Sequence, residues 1–200
     1  MLFWNGSRNY WENRYHAGGN SGAGSYNLLA KFKAEVINDY VRKKNIKSVI
    51  EWGCGDGNQL SLSEYPYYIG IDVSETAIEM CKKLYHDDGT KTFICNHGNY
   101  VDKKCDLALS LDVIYHLVED SAYEEYMNNL FASSDRYVCI YSCNYDGDFA
   151  THVKCRKFSD WIEKNLQDWK LERVVKNRYP YDLNNPQNTS WSDFYFYVKD

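Results

Sequence analysis

The chain has 200 residues, enough for one domain with a substantial hydrophobic core but too few for a second full domain. With 28 acidic residues against 23 lysines and arginines, the formal net charge is −5, which disfavours nucleic acid as a partner. The amino terminus lacks a basic segment followed by an apolar stretch, and no apolar run is long enough to span a membrane, so we expect a cytoplasmic protein.

A glycine-rich segment, residues 18–25, precedes the first helical pattern. The residues after it place apolar side chains at helical spacing, which predicts a helix over residues 26–44 with Ser25 at its N-cap. The aromatic residues around the segment are Trp11, Tyr15 and Tyr26. They favour a lid that closes over a ligand, and the alternative is a frayed terminus.

Short apolar runs follow from residue 46 onward, and each suits a strand that is buried on both faces. They cover residues 48–52, 67–71, 92–95, 107–111 and 137–141, with helical patterns at 74–85 and 121–131 between them. This alternation predicts a parallel sheet with right-handed crossovers. After a helix near 158–166, strands at 169–175 and 194–198 are joined without a helix and should be antiparallel.

The predicted fold class is therefore α/β. We expect a Rossmann-like, doubly wound sheet of seven mostly parallel strands, with an antiparallel last strand and helices on both faces. No internal repeat or proline-rich linker divides the sequence, so residues 1–200 should form a single domain.

Three glycines, Gly53, Gly55 and Gly57, end the first predicted strand at every second position. Glycine permits positive φ and close approach of a ligand, and the carboxyl end of a central strand is where open α/β sheets bind cofactors. Asp72 ends the next strand, where its carboxylate could accept both hydroxyl groups of a ribose. The alternative is that Asp72 only caps the helix that begins near Ser74.

This pattern resembles the class I S-adenosylmethionine-dependent methyltransferases, whose first motif is an acidic residue followed by Gly-x-Gly-x-Gly and whose second is an acidic strand end. The matching residues are Glu51, Gly53, Gly55, Gly57 and Asp72. Residues 105–116 are similar to that family's fourth strand and the loop after it, and residues 46–142 follow the family order. The resemblance implies an enzyme with S-adenosylmethionine as cofactor and S-adenosylhomocysteine as product.

The resemblance also assigns cofactor contacts. Glu51 and the three glycines would lie at the methionine part, and Asp72 would hold the ribose. Val73 would cover the adenine, and Asn96 would meet the adenine amine. Leu111 would contact the cofactor from the end of the fourth strand.

The loop after the fourth strand would line the methyl-transfer site. A histidine suits removal of a proton from a hydroxyl acceptor, and the candidates are His116 and His152. Asp112 or Tyr115 would orient the acceptor. The alternative for His116 is a hydrogen-bonded structural role.

A closer resemblance rests on residues 11–15, the glycine-rich loop and residues 152–158, which are similar to small bacterial methyltransferases found with glycan-biosynthesis genes. It implies a small acceptor, a hydroxyl of a sugar or glycan precursor. Arg156 follows the fifth predicted strand on the acceptor side, so we predict that it contacts the acceptor, together with Tyr15; the alternative is that Arg156 and His152 form an exposed pair without a role. We therefore divide the predicted domain into three parts: a lid segment and helix in residues 1–45, a cofactor-binding half in 46–142 and an acceptor-side half in 143–200.

Three alternatives remain open at the level of sequence. The first is a methyltransferase acting on nucleic acid or protein, with a small basic surface around Lys154. The second is a module that binds S-adenosylmethionine without turnover. The third, a nicotinamide oxidoreductase, is disfavoured because the third glycine comes one residue too early for a dinucleotide fingerprint.

Seven cysteines occur without a Cys-x-x-Cys pair, and several lie in apolar runs. We interpret them as reduced packing residues and predict no metal. The alternative is a zinc site formed by Cys139, Cys143 and Cys155 with His152.

Overall fold

Nine strands and five α-helices are present in the computed structural model, which describes residues 6–98 and 101–200. The strands are β1 (Ser48–Trp52), β2 (Tyr67–Asp72), β3 (Lys91–Cys95), β4 (Cys105–Leu111), β5 (Ser134–Ser142), β6 (Gly147–Ala150), β7 (Val153–Cys155), β8 (Trp169–Val175) and β9 (Asp193–Lys199). The helices are α1 (Ser7–His16), α2 (Asn27–Lys43), α3 (Glu75–Leu84), α4 (Asp120–Ala132) and α5 (Phe158–Asn165). Every helix within the described ranges is too short or too polar to serve as a transmembrane span.

Seven of these strands form the central sheet in the order β3-β2-β1-β4-β5-β9-β8. The first five are parallel, and β9 is antiparallel to both of its neighbours. The predicted seven-stranded, mostly parallel sheet is confirmed, and the antiparallel last strand lies between β5 and β8 rather than at the edge. The order of the strands reverses at β1, because β2 and β3 lie on one side of it and β4 and β5 on the other. The carboxyl ends of β1, β2 and β4 therefore meet at the point where such sheets bind ligands.

Helices cover both faces of the sheet, which explains why a central strand such as β4 is almost continuously apolar. Helices α2 and α3 cover one face, and α4 and α5 cover the other. Leu107 and Leu109 of β4 pack with α2 and α3, whereas Ala108 between them packs with α4 and α5. Alternate residues of one strand therefore enter different cores, as the period of two of a strand requires.

Helix α1 was not predicted, because it lacks an apolar stripe and buries only Ser7 and Tyr15. Side-chain contacts with distant elements hold it in place. Glu12 accepts hydrogen bonds from the hydroxyl groups of Ser74 and Thr76, each at 2.6 Å. At the other end, the hydroxyl of Ser7 donates to Glu119 at 2.6 Å. The helix thereby crosses the carboxyl edge of the sheet from α3 to α4.

One predicted helix start differs from the structure. Ser25 does not cap α2, because it belongs to a short 3₁₀ turn, Ala23–Ser25, and the N-cap is Tyr26. After β1 the chain forms the 3₁₀ turn Gln59–Leu62. Ser74 is the N-cap of α3, and its hydroxyl accepts the Ala77 N–H at 3.1 Å.

Strands β6 and β7 form an antiparallel hairpin that the sequence analysis missed. The hairpin folds back toward the end of β5 and brings Cys143 and Cys155 together in a disulfide with a Cα separation of 6.4 Å. The prediction of seven reduced cysteines is therefore wrong for this pair, because the fold brings together residues that are 12 apart in the chain. The free cysteines of the described residues are Cys54, Cys81, Cys95, Cys105 and Cys139.

Candidate functional site

A cavity of about 340 Å³ lies at the carboxyl ends of β1, β2 and β4, a volume within the range of small-molecule pockets. Ten residues of the predicted site line it: Tyr15, Glu51, Gly53, Gly55, Asp72, Val73, Asn96, Leu111, Asp112 and His116. The other four, Gly57, Tyr115, His152 and Arg156, are absent from its lining. Residues of α1 and α4 also contribute to its walls.

Asp72 joins the ends of β1 and β2 at this cavity. Its Oδ2 accepts the backbone N–H of Gly55 at 2.9 Å, and its Oδ1 accepts the N–H of Ser74 at 2.9 Å. The carboxyl group is buried, and burial raises its pKa. The carboxylate therefore holds the glycine turn and the residue before α3, whose N-cap is Ser74, and its contact with a ribose stays a prediction.

Glu51 is a second buried carboxyl group on the cavity wall. Its Oε2 accepts the hydroxyl of Tyr68 at 2.7 Å. Burial is the main reason why the pKa of Glu51 is raised to about 7. The hydrogen bond from Tyr68 and the charge of Lys33 oppose the rise, and the charge of Asp72 adds to it. The cavity therefore places two desolvated carboxyl groups beside one glycine turn.

Glu51→Gln is expected to stabilise the fold more at about pH 8 than at about pH 5. Folding raises the pKa of this carboxyl from 4.5 to about 7, so the folded state favours the neutral form. Its contribution is fully present below the unfolded pKa and is lost as the pH rises through the folded pKa. Glutamine removes that loss, and urea unfolding of both proteins at the two pH values measures it. A stability difference independent of pH would contradict the expectation.

The glycines of the turn make room for the protein's own atoms. Gly53 and Gly55 have φ values of +84° and +57°, in the left-handed region that favours glycine. A Cβ on Gly53 would lie 2.4 Å from a methyl group of Val113, and one on Gly55 would lie 2.3 Å from the hydroxyl of Ser21. Gly57 faces α3, where its Cβ would meet the sulfur of Cys81 at 3.0 Å. Of the three glycines of the turn, Gly53 and Gly55 line the cavity and Gly57 does not.

The glycine-rich loop is anchored on this turn through Asp56, which the sequence analysis missed. The Asp56 carboxylate accepts the N–H of Ser21 and the hydroxyl of Tyr26, each at 2.9 Å. In return, the backbone N–H of Asp56 donates to the hydroxyl of Ser21 at 3.0 Å. The hydroxyl of Tyr15 lies 2.9 Å from that of Ser21. Tyr15 is therefore next to the glycine turn, and an aspartate within a glycine motif was the available signal for Asp56.

Asp112 lines the cavity after β4, with a φ of +60°. Its Oδ2 forms an ion pair with Lys33 at 2.7 Å. Its Oδ1 accepts the hydroxyl groups of Tyr115 at 3.0 Å and Ser192 at 3.1 Å. The side chain of Lys33 is fully buried, at 0% exposure. A lysine within the apolar stripe of α2 was the signal for Lys33 that the sequence analysis did not use.

His116 faces the cavity, and its ring is held from behind. Its Nδ1 lies 3.0 Å from the backbone oxygen of His152, so Nδ1 carries the proton and Nε2 keeps its lone pair. Burial lowers the pKa of His116 to about 4, which leaves the ring neutral near pH 7. The ring of Trp11 packs edge-on against it at 4.9 Å. The arrangement gives a basic nitrogen with one defined tautomer.

His152 and Arg156 support the site from outside the cavity. The ring of His152 stacks between those of His116 and Tyr10, at 5.9 and 4.8 Å. The Arg156 guanidinium donates to the backbone oxygens of Leu117 and Val118, at 2.6 and 2.9 Å, and also pairs with Asp120 at 2.6 Å. The predicted acceptor contact by Arg156 is therefore not supported, because its donors hold the loop after β4.

The predicted zinc alternative fails because Cys143 and Cys155 are bonded to each other. A different group of potential ligands, Glu75, Cys95 and His97, lies within 4.8 Å near the end of β3. The Arg8 guanidinium contacts the ring of His97 and brings a positive charge to this group, which opposes a cation.

Three comparisons with known proteins bear on the fold and its activity. Residues 50–133 match a family described as a methyltransferase domain. A tRNA (carboxymethyluridine(34)-5-O)-methyltransferase of Arabidopsis thaliana is 27% identical over 84 residues, which cover 41% of this chain and 20% of that protein. The matched region thus spans about a fifth of the length of that relative.

Solved structures match nearly the whole chain at low sequence identity. Magnesium protoporphyrin IX methyltransferase from Synechocystis PCC 6803 with bound S-adenosylhomocysteine has a TM-score of 0.71 at 15% identity, over 96% of this chain and 98% of that one. The N-methyltransferase NodS from Bradyrhizobium japonicum WM9, also with S-adenosylhomocysteine, has a TM-score of 0.68 at 10% identity, over 98% of this chain and 99% of that one.

The solved structures confirm the predicted fold class, and the match over residues 50–133 is to a methyltransferase domain. Their acceptors differ, since the names of these proteins specify a tRNA nucleoside in one case and a magnesium porphyrin in another. Residues 50–133 are similar to a methyltransferase domain, and the chain has the fold of solved methyltransferase structures.

Proposed function

We propose that this chain transfers the methyl group of S-adenosylmethionine to a hydroxyl group of a small acceptor, a sugar or glycan precursor. The observation that carries the donor half is the convergence of the Asp72 carboxylate and the Gly55 N–H, 2.9 Å apart on the cavity wall. The cofactor supplies an electrophilic methyl group on a positively charged sulfur atom. The residues around it need only bind, orient and shield the reactants.

The charge of the cavity wall fits a cationic donor. Glu51, Asp72 and Asp112 present acidic groups to the cavity, and Lys33 is paired with Asp112. Gln59, also on the wall, has a buried Oε1 without a hydrogen-bond partner among the described residues. This oxygen would accept a hydrogen bond from an ammonium group of a bound ligand. The residues present therefore fit the amino-acid part of S-adenosylmethionine.

The same features disfavour the nicotinamide alternative. A pyrophosphate carries negative charge and would meet the carboxyl groups of Glu51 and Asp72. The dinucleotide fold also places the pyrophosphate at the amino terminus of the helix after the first strand. In this chain the corresponding segment is the short 3₁₀ turn Gln59–Leu62.

We assign the contacts with S-adenosylmethionine to residues at the carboxyl ends of the strands that line the cavity. The backbone at Gly53 and Gly55 would lie at the methionine part, and Asp72 would hold the ribose. Each oxygen of Asp72 accepts one backbone N–H, which leaves lone pairs for the two ribose hydroxyl groups. Val73, Asn96 and Leu111 line the wall around the nucleoside part.

The second part of the proposal, that the acceptor is a small molecule, rests on the size of the cavity and on the segments that cover it. Helix α1 and the glycine-rich loop cover the carboxyl edge, so a small acceptor fits this site better than a macromolecule. Asp112 would orient the acceptor hydroxyl, and His116 would accept its proton at Nε2. Tyr15 lies beside Gly55, so we place it with the lid at the cofactor rather than with the acceptor.

RNA is the second candidate acceptor, because the Arabidopsis relative is named as a tRNA methyltransferase. The net charge of −5 argues against it, as does the pairing of Lys154 and Arg156 with Asp120. Incubation with S-adenosylmethionine carrying a labelled methyl group separates the candidates when nucleotide sugars, oligosaccharides and bulk tRNA are offered in parallel. Label on tRNA alone would overturn the sugar acceptor, and tight cofactor binding with no transfer to any acceptor would favour the module without turnover.

Asp72→Asn is expected to weaken S-adenosylmethionine binding about tenfold, because a neutral amide replaces a charge-assisted acceptor of the ribose hydroxyls. Asparagine keeps one acceptor oxygen for the backbone, so it disturbs the turn less than alanine would. Isothermal titration calorimetry measures the affinity. Asp135→Asn, an exposed aspartate at the start of β5, serves as the control and should bind normally. Equal affinities of Asp72→Asn and wild type would contradict the donor half of the proposal.

A further inference from the structure

The loop between β8 and β9 lies beside the acceptor end of the cavity. Strand β9 begins at Asp193, which pairs with Ser142 at the carboxyl end of β5. The loop, residues 176–192, therefore emerges at the same edge of the sheet as the cavity. The nucleoside residues follow β2 and β3, so this loop lies on the other side, next to the ends of β4 and β5.

An aromatic pair lies in this loop, with Trp191 exposed and Tyr181 half-buried. The rings of Tyr181 and Trp191 are 4.3 Å apart and tilted by 44°. Trp191 is 39% exposed and Leu183 is 80% exposed, which is high for side chains of this kind. With Asp182 and Asn184, these residues line a shallow surface hollow. Exposed apolar groups with polar neighbours are typical of a binding surface.

Hydrogen bonds connect this hollow to the catalytic side of the cavity. Ser192, the residue after Trp191, donates its hydroxyl to Oδ1 of Asp112 at 3.1 Å. Asn177 donates to the hydroxyl of Tyr141 at 2.9 Å and to the backbone of Ser190 at 3.3 Å. The residue next to Trp191 in the chain is therefore bonded directly to Asp112, the group that would orient the acceptor.

The composition of the loop selects the chemical class of the ligand. Residues 180–192 contain no lysine or arginine, and they carry an aspartate and several asparagines. RNA or a phosphorylated surface requires cations that neutralise phosphate groups. Residues 180–192 offer none, and the two cations earlier in the loop, Lys176 and Arg178, are paired with Asp193 and Glu35. Sugars present apolar C–H faces that stack on aromatic rings and hydroxyl groups that bond to carboxylates and amides.

We propose that residues 180–192 form a platform for a neutral saccharide, which extends the acceptor site beyond the cavity. Tyr181 and Trp191 would stack on a sugar ring, and Asp182 and Asn184 would accept or donate hydrogen bonds to its hydroxyl groups. The proposal rests on the proposed methyl transfer to a sugar or glycan precursor. An acceptor longer than one sugar would place one unit at Asp112 and the next unit on the platform.

The test uses the full chain saturated with S-adenosylhomocysteine on a printed array of neutral oligosaccharides. Wild type is expected to bind at least one member, and Trp191→Ala to bind it about tenfold more weakly because the stacking face is lost. Trp191→Phe keeps an aromatic face and should restore much of the binding. Tyr67→Ala is the matched control, because Tyr67 is 63% exposed at the opposite edge of the sheet.

Calorimetry with S-adenosylhomocysteine on the same proteins separates the possible failures. Normal affinity with no oligosaccharide bound by wild type would overturn the platform and leave the donor half intact. The same conclusion follows if Trp191→Ala binds the array as wild type does, or if Tyr67→Ala loses as much binding. Absence of S-adenosylhomocysteine binding in wild type would instead overturn the proposed function itself.

Discussion

Asp112→Asn is expected to lower the free energy of unfolding by about 3–5 kcal/mol, because it leaves the buried ammonium group of Lys33 without its counter-ion. The side chain of Lys33 has an exposure of 0%, and its ammonium group donates a hydrogen bond to Oδ2 of Asp112 at 2.7 Å. Asparagine tolerates the φ of +60° at this position, so backbone strain does not contribute to the loss. Urea unfolding measures the change.

A double-mutant cycle isolates the ion pair. Lys33→Met alone should cost less, because Tyr115 and Ser192 still donate to the Asp112 carboxylate. The double variant Lys33→Met/Asp112→Asn should recover much of the stability, since neither charge remains buried without a partner. If the two single losses simply added in the double variant, the ion pair would not be the origin of either loss.

His116→Ala is expected to lower kcat about a hundredfold and to leave the affinity for S-adenosylhomocysteine unchanged. The neutral ring has its Nε2 lone pair available, because Nδ1 is bonded to the His152 backbone. General-base catalysis contributes about 10²- to 10⁴-fold, and the lowered pKa of about 4 makes His116 a weak base, which favours the lower end. Steady-state methyl transfer gives kcat, and calorimetry gives the affinity.

His152→Ala is the matched control for this prediction. It removes the ring that stacks behind His116 but keeps the backbone oxygen that holds Nδ1, so kcat should change only a few-fold. The pH profile adds a second test. His116 loses its basic lone pair as the pH falls through about 4, so kcat should decline there in wild type. An equal loss of kcat in His152→Ala, or a normal kcat in His116→Ala, would exclude His116 as the base.

The sequence alone determined the order of the strands along the chain and the position of the glycine turn. The predicted bounds of β1 are those of the structure, and those of β2 differ by one residue. These features are encoded locally, because apolar runs, glycines and strand ends depend on neighbouring residues. The proximity of Asp72 and Gly55 followed from topology, since the ends of adjacent parallel strands meet at one edge.

The tertiary structure decided the partners of the polar groups around the cavity. Lys33 and Asp112 are 79 residues apart in the chain, and nothing in the local pattern of either residue points to the other. Arg156 could be placed on the acceptor side from sequence, but only the fold shows that its donors are bonded to the loop after β4. Helix α1 depends in the same way on contacts with α3 and α4.

The physical reason is that a buried polar group needs a partner, and the partner is supplied by whichever chain segment the fold brings near. Local propensity determines which segments become helices and strands, because it depends on residues within a few positions. The pairing of Asp56 with Ser21 and of Cys143 with Cys155 depends on how those segments pack. The sequence therefore located the candidate site, and the packing of the fold determined which of its groups face the cavity.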